Sequence, residues 1–146
     1  MKTRTWIVTG AGALASAGTV LAAPPPEPAA HEGSLKTIMV DLGQQMARVQ
    51  TALWVEDLEA VSEAATQIAD HPHVSPEERA RVQAALGTDF AAFASGDRAL
   101  HDGAVRLSEA ASAKDLDATL RELGAVQVGC VSCHTQFRER LRVKSR

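Results

Sequence analysis

With 146 residues the chain has room for one domain around one core, which excludes a multi-domain organisation. Hydrophobic residues make up 45% and charged residues 23%, ordinary globular usage, while aromatics are only 3% with no tyrosine, and helix formers crowd the chain, so a β-sandwich or barrel is excluded. A net charge of −3 removes the overall basic field that nucleic-acid binding normally needs.

Lys2 and Arg4 precede an apolar, Gly/Ala-rich run from Trp6 to Val20, and Val20-Leu21-Ala22 offers small residues for cleavage before Ala23. This pattern predicts a secretory signal peptide over residues 1–22 and export to the periplasm. Gly10, Gly12, Gly18, Thr9, Ser16 and Thr19 leave the run too short and too weakly apolar to span a membrane. No cysteine follows the cleavage point and no Arg-Arg pair precedes it, which excludes a lipoprotein and the twin-arginine route. Residues 23–33, with Pro24, Pro25, Pro26 and Pro28, form a Pro-rich leader in which His31 is expected to be solvated.

From Ser34 onward the periodicity is helical, and residues 34–146 are expected to be the folded domain. Ser34 is an N-cap for a helix whose Leu35, Ile38, Met39, Leu42, Met46, Val49 and Leu53 recur at three- and four-residue steps. Asp57 caps a shorter second helix carrying Leu58, Val61, Ala65 and Ile68. One loop, Asp70 to Pro76, divides the domain into halves, and His71 and His73 within it are expected to be solvated. Ser75-Pro76-Glu77-Glu78 combines an N-cap, Pro at N1 and Glu at N3 in a capping box. The third helix continues through Val82, Leu86, Phe90, Phe93, Leu100, Ala104 and Leu107, with Gly96 and Gly103 as weak points. A turn at Ser112 or Lys114-Asp115 precedes the last helix, where Leu116, Leu120, Leu123, Cys130, His134, Phe137 and Leu141 fall on one stripe. Four amphipathic helices with short connections predict an all-α fold, an antiparallel four-helix bundle.

The chemistry lies in Cys130-Val131-Ser132-Cys133-His134. A C-x-x-C-H run on a helix places two thiols on adjacent turns, where they can add to the two vinyl groups of a haem, and sets a histidine beside them to reach the iron. A disulfide or free buried pair would give His134 no role, a thiol redox centre would accompany a βαβ pattern, and a zinc site would need a fourth ligand, for which His101 is the one helical candidate. Cys130 and Cys133 are therefore expected to hold one covalent haem c, with His134 as the proximal iron ligand.

The run Cys130-x-x-Cys133-His134-x-x-Phe137-Arg138 on the last helix, preceded by Ala113-Lys114-Asp115-Leu116 and Leu123-Gly124, resembles the class II cytochromes c, the cytochrome c prime family. That family is a familiar example of the four-helix bundle, and the resemblance covers Ser34 to Arg142, strongest near the motif. In low-spin members a Met early in the first helix, followed by Gly and a second Met, fills the sixth iron position; Met39-x-x-x-Gly43-x-x-Met46 matches, and the resemblance makes Met39 the distal ligand. The two methionines are seven residues, about 10 Å, apart along the axis, so only one can meet the iron, and Met46 is expected to pack in the core. The family often carries a basic residue one turn before this Met, where Leu35 stands here.

His101 lies four residues after Asp97, a spacing that predicts a helix-surface pair and leaves His101 as an alternative iron ligand. Arg138, Arg140, Arg142, Lys144 and Arg146 make a basic tail, read as complementing the negative end of the last helix in preference to docking on an acidic partner. The expected function is one-electron transfer in the periplasm through a His/Met-ligated haem, with a redox protein as partner; the alternative is a five-coordinate, high-spin haem protein binding NO or CO. A homodimer is among the partners the sequence leaves open. An enzyme such as a peroxidase would need a distal acid or base, and the first-helix face offers Leu35, Ile38, Met39, Leu42 and Met46 instead.

Overall fold

The computed structural model describes residues 33–142. The expected signal peptide, the leader with His31, and Lys144 and Arg146 of the tail lie outside the described residues. Helices α1 (Leu35–Trp54), α2 (Leu58–Ala69), α3 (Pro76–Leu86), α4 (Phe90–Ser112) and α5 (Leu116–Leu141) follow in chain order, with no strand among the described residues. α1 packs on α2, α2 on α4 and α4 on α5, while α3 lies against α5, which is the four-helix bundle with its third helix broken in two.

Local chemistry accounts for the starts. Ser34 Oγ accepts the Thr37 N–H, Asp57 accepts that of Ala60 and Asp115 that of Ala118, each satisfying one of the orphan donors of a first turn. At α3 the expected capping box is half formed. Ser75 Oγ accepts from the Glu78 N–H at 3.2 Å, but the Ser75 N–H is already donated to the Gly33 carbonyl at 2.9 Å, so the Glu78 carboxylate turns elsewhere. It accepts instead from the backbone N–H of Leu35, the first residue of α1.

The break in the third helix falls at Gly87, not at the two glycines that looked weak. Gly87 takes φ +54 and ψ −123, a conformation closed to side chains with a Cβ, and a 3-10 turn over Gly87–Asp89 leads into α4. Arg140 of α5 holds this corner: it donates to the Leu86 and Ala85 carbonyls and pairs with Asp89 at 2.6 Å. Arg138 and Arg140 stand in the last turn of α5, where the expectation for the basic tail placed them, and Arg140 also serves the end of α3. Gly96 and Gly103 lie inside α4, and Gly103 is buried, where an added Cβ would meet Val126 of α5 at 3.3 Å.

The core is in two parts. The larger gathers Val49, Val61, Ile68, Leu107 and Val126 with their neighbours; the smaller is Val82, Leu86, Phe137 and Leu141. On α5 Leu123, Phe137 and Leu141 of the expected stripe are buried together with Thr119 and Val126, while Leu116 and Leu120 are exposed. Thr119 can hold a central position because its hydroxyl donates to the Asp115 carbonyl.

Candidate haem site

Cys130 and Cys133 sit one turn apart on α5, both free and half-buried. Cys130 packs against the larger core cluster and Cys133 against the smaller, so the motif marks the seam between them. Burial pushes both thiols above their ordinary range, and for Cys133 the Asp97 carboxylate and the neighbouring Cys130 add to it. Such thiols stay protonated at neutral pH, which disfavours a redox-active thiolate pair. No group of three or more His, Cys, Asp or Glu side chains is arranged to hold a metal ion among the described residues, so the zinc alternative through His101 finds no support.

His134 is exposed and makes no hydrogen bond or ion pair among the described residues. At 3.6 residues per turn, Leu116, Leu120 and Val131 fall within about a sixth of a turn of its azimuth. Of these only Val131, 65% exposed, lies within a turn of the imidazole; at 1.5 Å per residue Leu120 and Leu116 are about 21 and 27 Å back along the helix. Two thiols and an imidazole suit a group with two vinyl attachments and an iron.

Across the bundle, Met39 lines a cavity of about 120 Å³ together with Leu35 and Ile38 of α1, Val82 of α3, and Phe90 and Phe93 of α4. That volume suits the space on one side of an iron and not a macrocycle. None of the three motif residues lines it; its connection to α5 runs through Val82, Phe90 and Phe93, which belong to the cluster that Cys133 packs against. Met46, on the same face two turns further along, lies outside the cavity lining and packs on the larger core cluster. Phe93 meets Phe137 edge to face at 5.7 Å and so joins the cavity wall to α5.

The other walls correct the histidine expectations. His71 is not solvated: its side chain is 12% exposed and lines the cavity beside Met39, with Nε2 3.7 Å from the Asp97 carboxylate. Asp97 therefore pairs with His71 across the loop, and His101 instead sets Nδ1 3.2 Å from its neighbour Asp102 at an exposed position off the cavity. Arg79 of α3 also reaches the cavity and lies over the Phe90 ring, 5.4 Å from its centroid. The α1 face is as apolar as its sequence, yet the space in front of it receives an imidazole, a guanidinium and a carboxylate from other elements. Arg79 brings to this cavity a cation that Leu35 does not. The sequence signal for His71 was the brevity of the α2–α3 connection, which must cross the end of the bundle and cannot keep every side chain in water.

The family described as Cytochrome C' matches residues 35–138, from the first residue of α1 to the last turns of α5. The chain belongs to the cytochrome c′ family. Searches among curated proteins and solved structures returned no significant match. This cytochrome c′ is a haem c protein of the four-helix-bundle type, and covalent haem c is its cofactor, in keeping with Cys130 and Cys133. Members of the family are electron carriers or gas binders and are typically periplasmic. No helix among the described residues is long and apolar enough to cross a membrane.

Proposed function

We propose that the protein is a periplasmic one-electron carrier in which Cys130 and Cys133 hold the haem, His134 ligates the iron on one side and Met39 on the other. The observation that carries this is the different placement of two methionines on one helix: Met46 packs into the core, whereas Met39 lines the cavity with Phe93. Bound haem supplies an Fe(III)/Fe(II) couple. The sulfurs of Cys130 and Cys133 fix it at two points one turn apart on a long, rigid helix. His134, free of competing partners, gives its ring nitrogen without breaking an existing bond. Val131, one turn before His134, would cover part of that side, and the Met39 thioether would take the other. With His134 and Met39 both held to the iron, the haem would offer no open position for bond chemistry and would serve electron transfer. A one-electron redox protein is the partner this requires.

The decisive measurement is the ferrous absorption spectrum with CO binding. A low-spin spectrum and slow CO uptake are expected, with Met39→Ala giving a high-spin ferrous protein that takes CO readily. The cavity beside Met39 is large enough for a diatomic ligand, which favours a second reading, a five-coordinate haem binding NO or CO. A wild-type ferrous protein that is already high-spin and unchanged by Met39→Ala selects it. Attachment is checked by acid-acetone extraction, where colour must stay with the protein. Export is checked by N-terminal sequencing of periplasmic material: Ala23 is expected, and an intact Met1 contradicts cleavage.

A further inference from the structure

From Leu123 to Phe137 α5 carries no Asp, Glu, Lys or Arg. The thiols and the imidazole account for one side of that stretch and leave the other without a role. At 3.6 residues per turn, Ala125, Val131, Ser132 and Thr135 lie within about a sixth of a turn of Val128, whereas Cys130, Cys133 and His134 lie about a third of a turn or more away. All five strip residues are exposed, Val128 to 67% and Val131 to 65%. The Thr135 hydroxyl lies 2.8 Å from the Val131 carbonyl, so its one proton is already donated within the helix.

Beyond the ends of this strip the charges are of mixed sign. Arg121 and Glu122 stand at one end, Arg138 and Glu139 at the other, and each carboxylate is held by a further arginine, Glu122 by Arg106 at 2.9 Å and Glu139 by Arg142 at 3.2 Å. Such a surface has little field with which to steer a charged molecule, and its chemistry matches another uncharged, apolar surface. Its size points the same way. A strip about 15 Å long on a helix about 11 Å across offers on the order of 200 Å². A lasting interface takes about 800 Å² from each partner, and weak redox encounters are the small ones. The strip is too small to hold a second copy and suits the centre of a brief contact.

Position supplies the electron path. Val131 and Ser132 are the two residues between the cysteines, so a molecule resting on them is separated from both sulfurs by one layer of helix backbone. Trp54 and Val55 are more exposed still, but they stand beside Glu56 and Asp57 at the end of α1, and it is the start of α1 that Glu78 and Arg81 join to the end of α5.

We propose that the strip centred on Val128 and Val131 is the electron-transfer docking surface, and that it fits a one-electron redox protein whose own centre lies beneath an uncharged, apolar patch. The proposal rests on the electron-carrier reading. In the encounter one electron leaves the ferrous haem for the oxidised partner, which is reduced by one; no bond forms or breaks and no proton moves.

The test is stopped-flow mixing of ferrous holoprotein with an oxidised blue-copper protein, Cu(II) going to Cu(I). Two such probes of similar potential are used, one with an apolar, uncharged face over the copper and one with an acidic face. Wild type, Val128→Asp, Val131→Asp, Thr135→Asp and Trp54→Gln are compared at low and high salt. The apolar probe is expected to react faster, at a rate that salt changes by less than about twofold. Val128→Asp is expected to slow it about tenfold with the haem spectrum unchanged, because a carboxylate must then be desolvated in the contact. Thr135→Asp, outside the motif, is expected to do the same should Val131→Asp hinder haem attachment, and Trp54→Gln is expected to react as wild type. Rates that ignore Val128→Asp and Thr135→Asp overturn the proposal and leave the carrier reading standing. So does a faster, steeply salt-dependent reaction with the acidic probe, or a loss of rate in Trp54→Gln. Sedimentation that finds a wild-type dimer split by Val128→Asp makes the strip a contact between copies and also overturns it. A high-spin ferrous wild type that binds CO readily and reduces neither probe overturns the carrier reading and the proposal together.

Discussion

The Glu78 carboxylate accepts a hydrogen bond from the backbone N–H of Leu35 at 3.0 Å, joining the start of α1 to the first turn of α3 across 43 residues of chain. Arg81 adds to the same group, with Nε 2.6 Å from Oε2, and reaches on to the Leu141 carbonyl at the end of α5. One acid thus caps a helix that is not its own and helps to tie three elements together. Glu78→Ala is expected to cost about 1 to 3 kcal/mol at neutral pH, as for loss of a charged hydrogen-bond acceptor. The Arg81 bonds, foremost, hold the Glu78 pKa below its ordinary 4.5. Its contribution is therefore fully present above that value and disappears as pH falls through the lowered one. Denaturant unfolding at neutral and strongly acid pH checks this: the gap between wild type and Glu78→Ala must narrow in acid, and an unchanged gap contradicts it.

The two glycines inside α4 should respond in opposite ways. Nothing lies within 4 Å of a Cβ added at Gly96, so Gly96→Ala is expected to gain about 0.5 to 1 kcal/mol from lower backbone entropy in the unfolded chain. At Gly103 the Val126 methyl stands 3.3 Å from the added atom, and Gly103→Leu is expected to lose about 1 to 3 kcal/mol through overpacking. Paired thermal melts measure both; equal shifts would remove the close α4–α5 approach as an explanation.

In the haem-free chain the two thiols should alkylate slowly. Burial raises both pKa values, with Asp97 and Cys130 adding to the effect at Cys133. The thiolate fraction at neutral pH is therefore below that of an ordinary cysteine, and iodoacetamide rates should climb only above the usual thiol range. Half-maximal reactivity below that range would contradict the burial seen at the motif.

Asp97 places a negative charge near the cavity, and a ferric haem carries one more positive charge than a ferrous one. Asp97→Asn is expected to raise the reduction potential, by on the order of tens of millivolts for a partly exposed charge, and by less in high salt. Spectroelectrochemical titration at two ionic strengths tests it; a lowered potential has the wrong sign for the mechanism.

The helices were legible because their starts are written locally. Ser34, Asp57 and Ser75 each cap the helix their positions announced, and Asp115, read only as one of two candidate turn sites, caps the last. The motif, too, is a local signal. What was not legible depends on distant partners. Leu86 and Phe90 keep helical spacing across Gly87, so periodicity runs through a break that Arg140 secures from α5. Glu78 looked like the closing half of a capping box until the Ser75 N–H proved to belong to Gly33. His71 resembled any loop histidine, and only the path of α2 into α3 turns it inward, toward an aspartate 26 positions later.

The position of the motif has a thermodynamic corollary. Cys130 rests on one core cluster and Cys133 on the other, with a single helical turn between them. If each cluster opens at its own free energy before attachment, a rigid macrocycle bonded to both sulfurs would join them, because neither could then come apart without straining the same covalent bridge. Haem insertion would then complete folding as well as load a cofactor, and the mature protein is expected to melt in one transition where the haem-free chain melts in two, as calorimetry of the two forms would show.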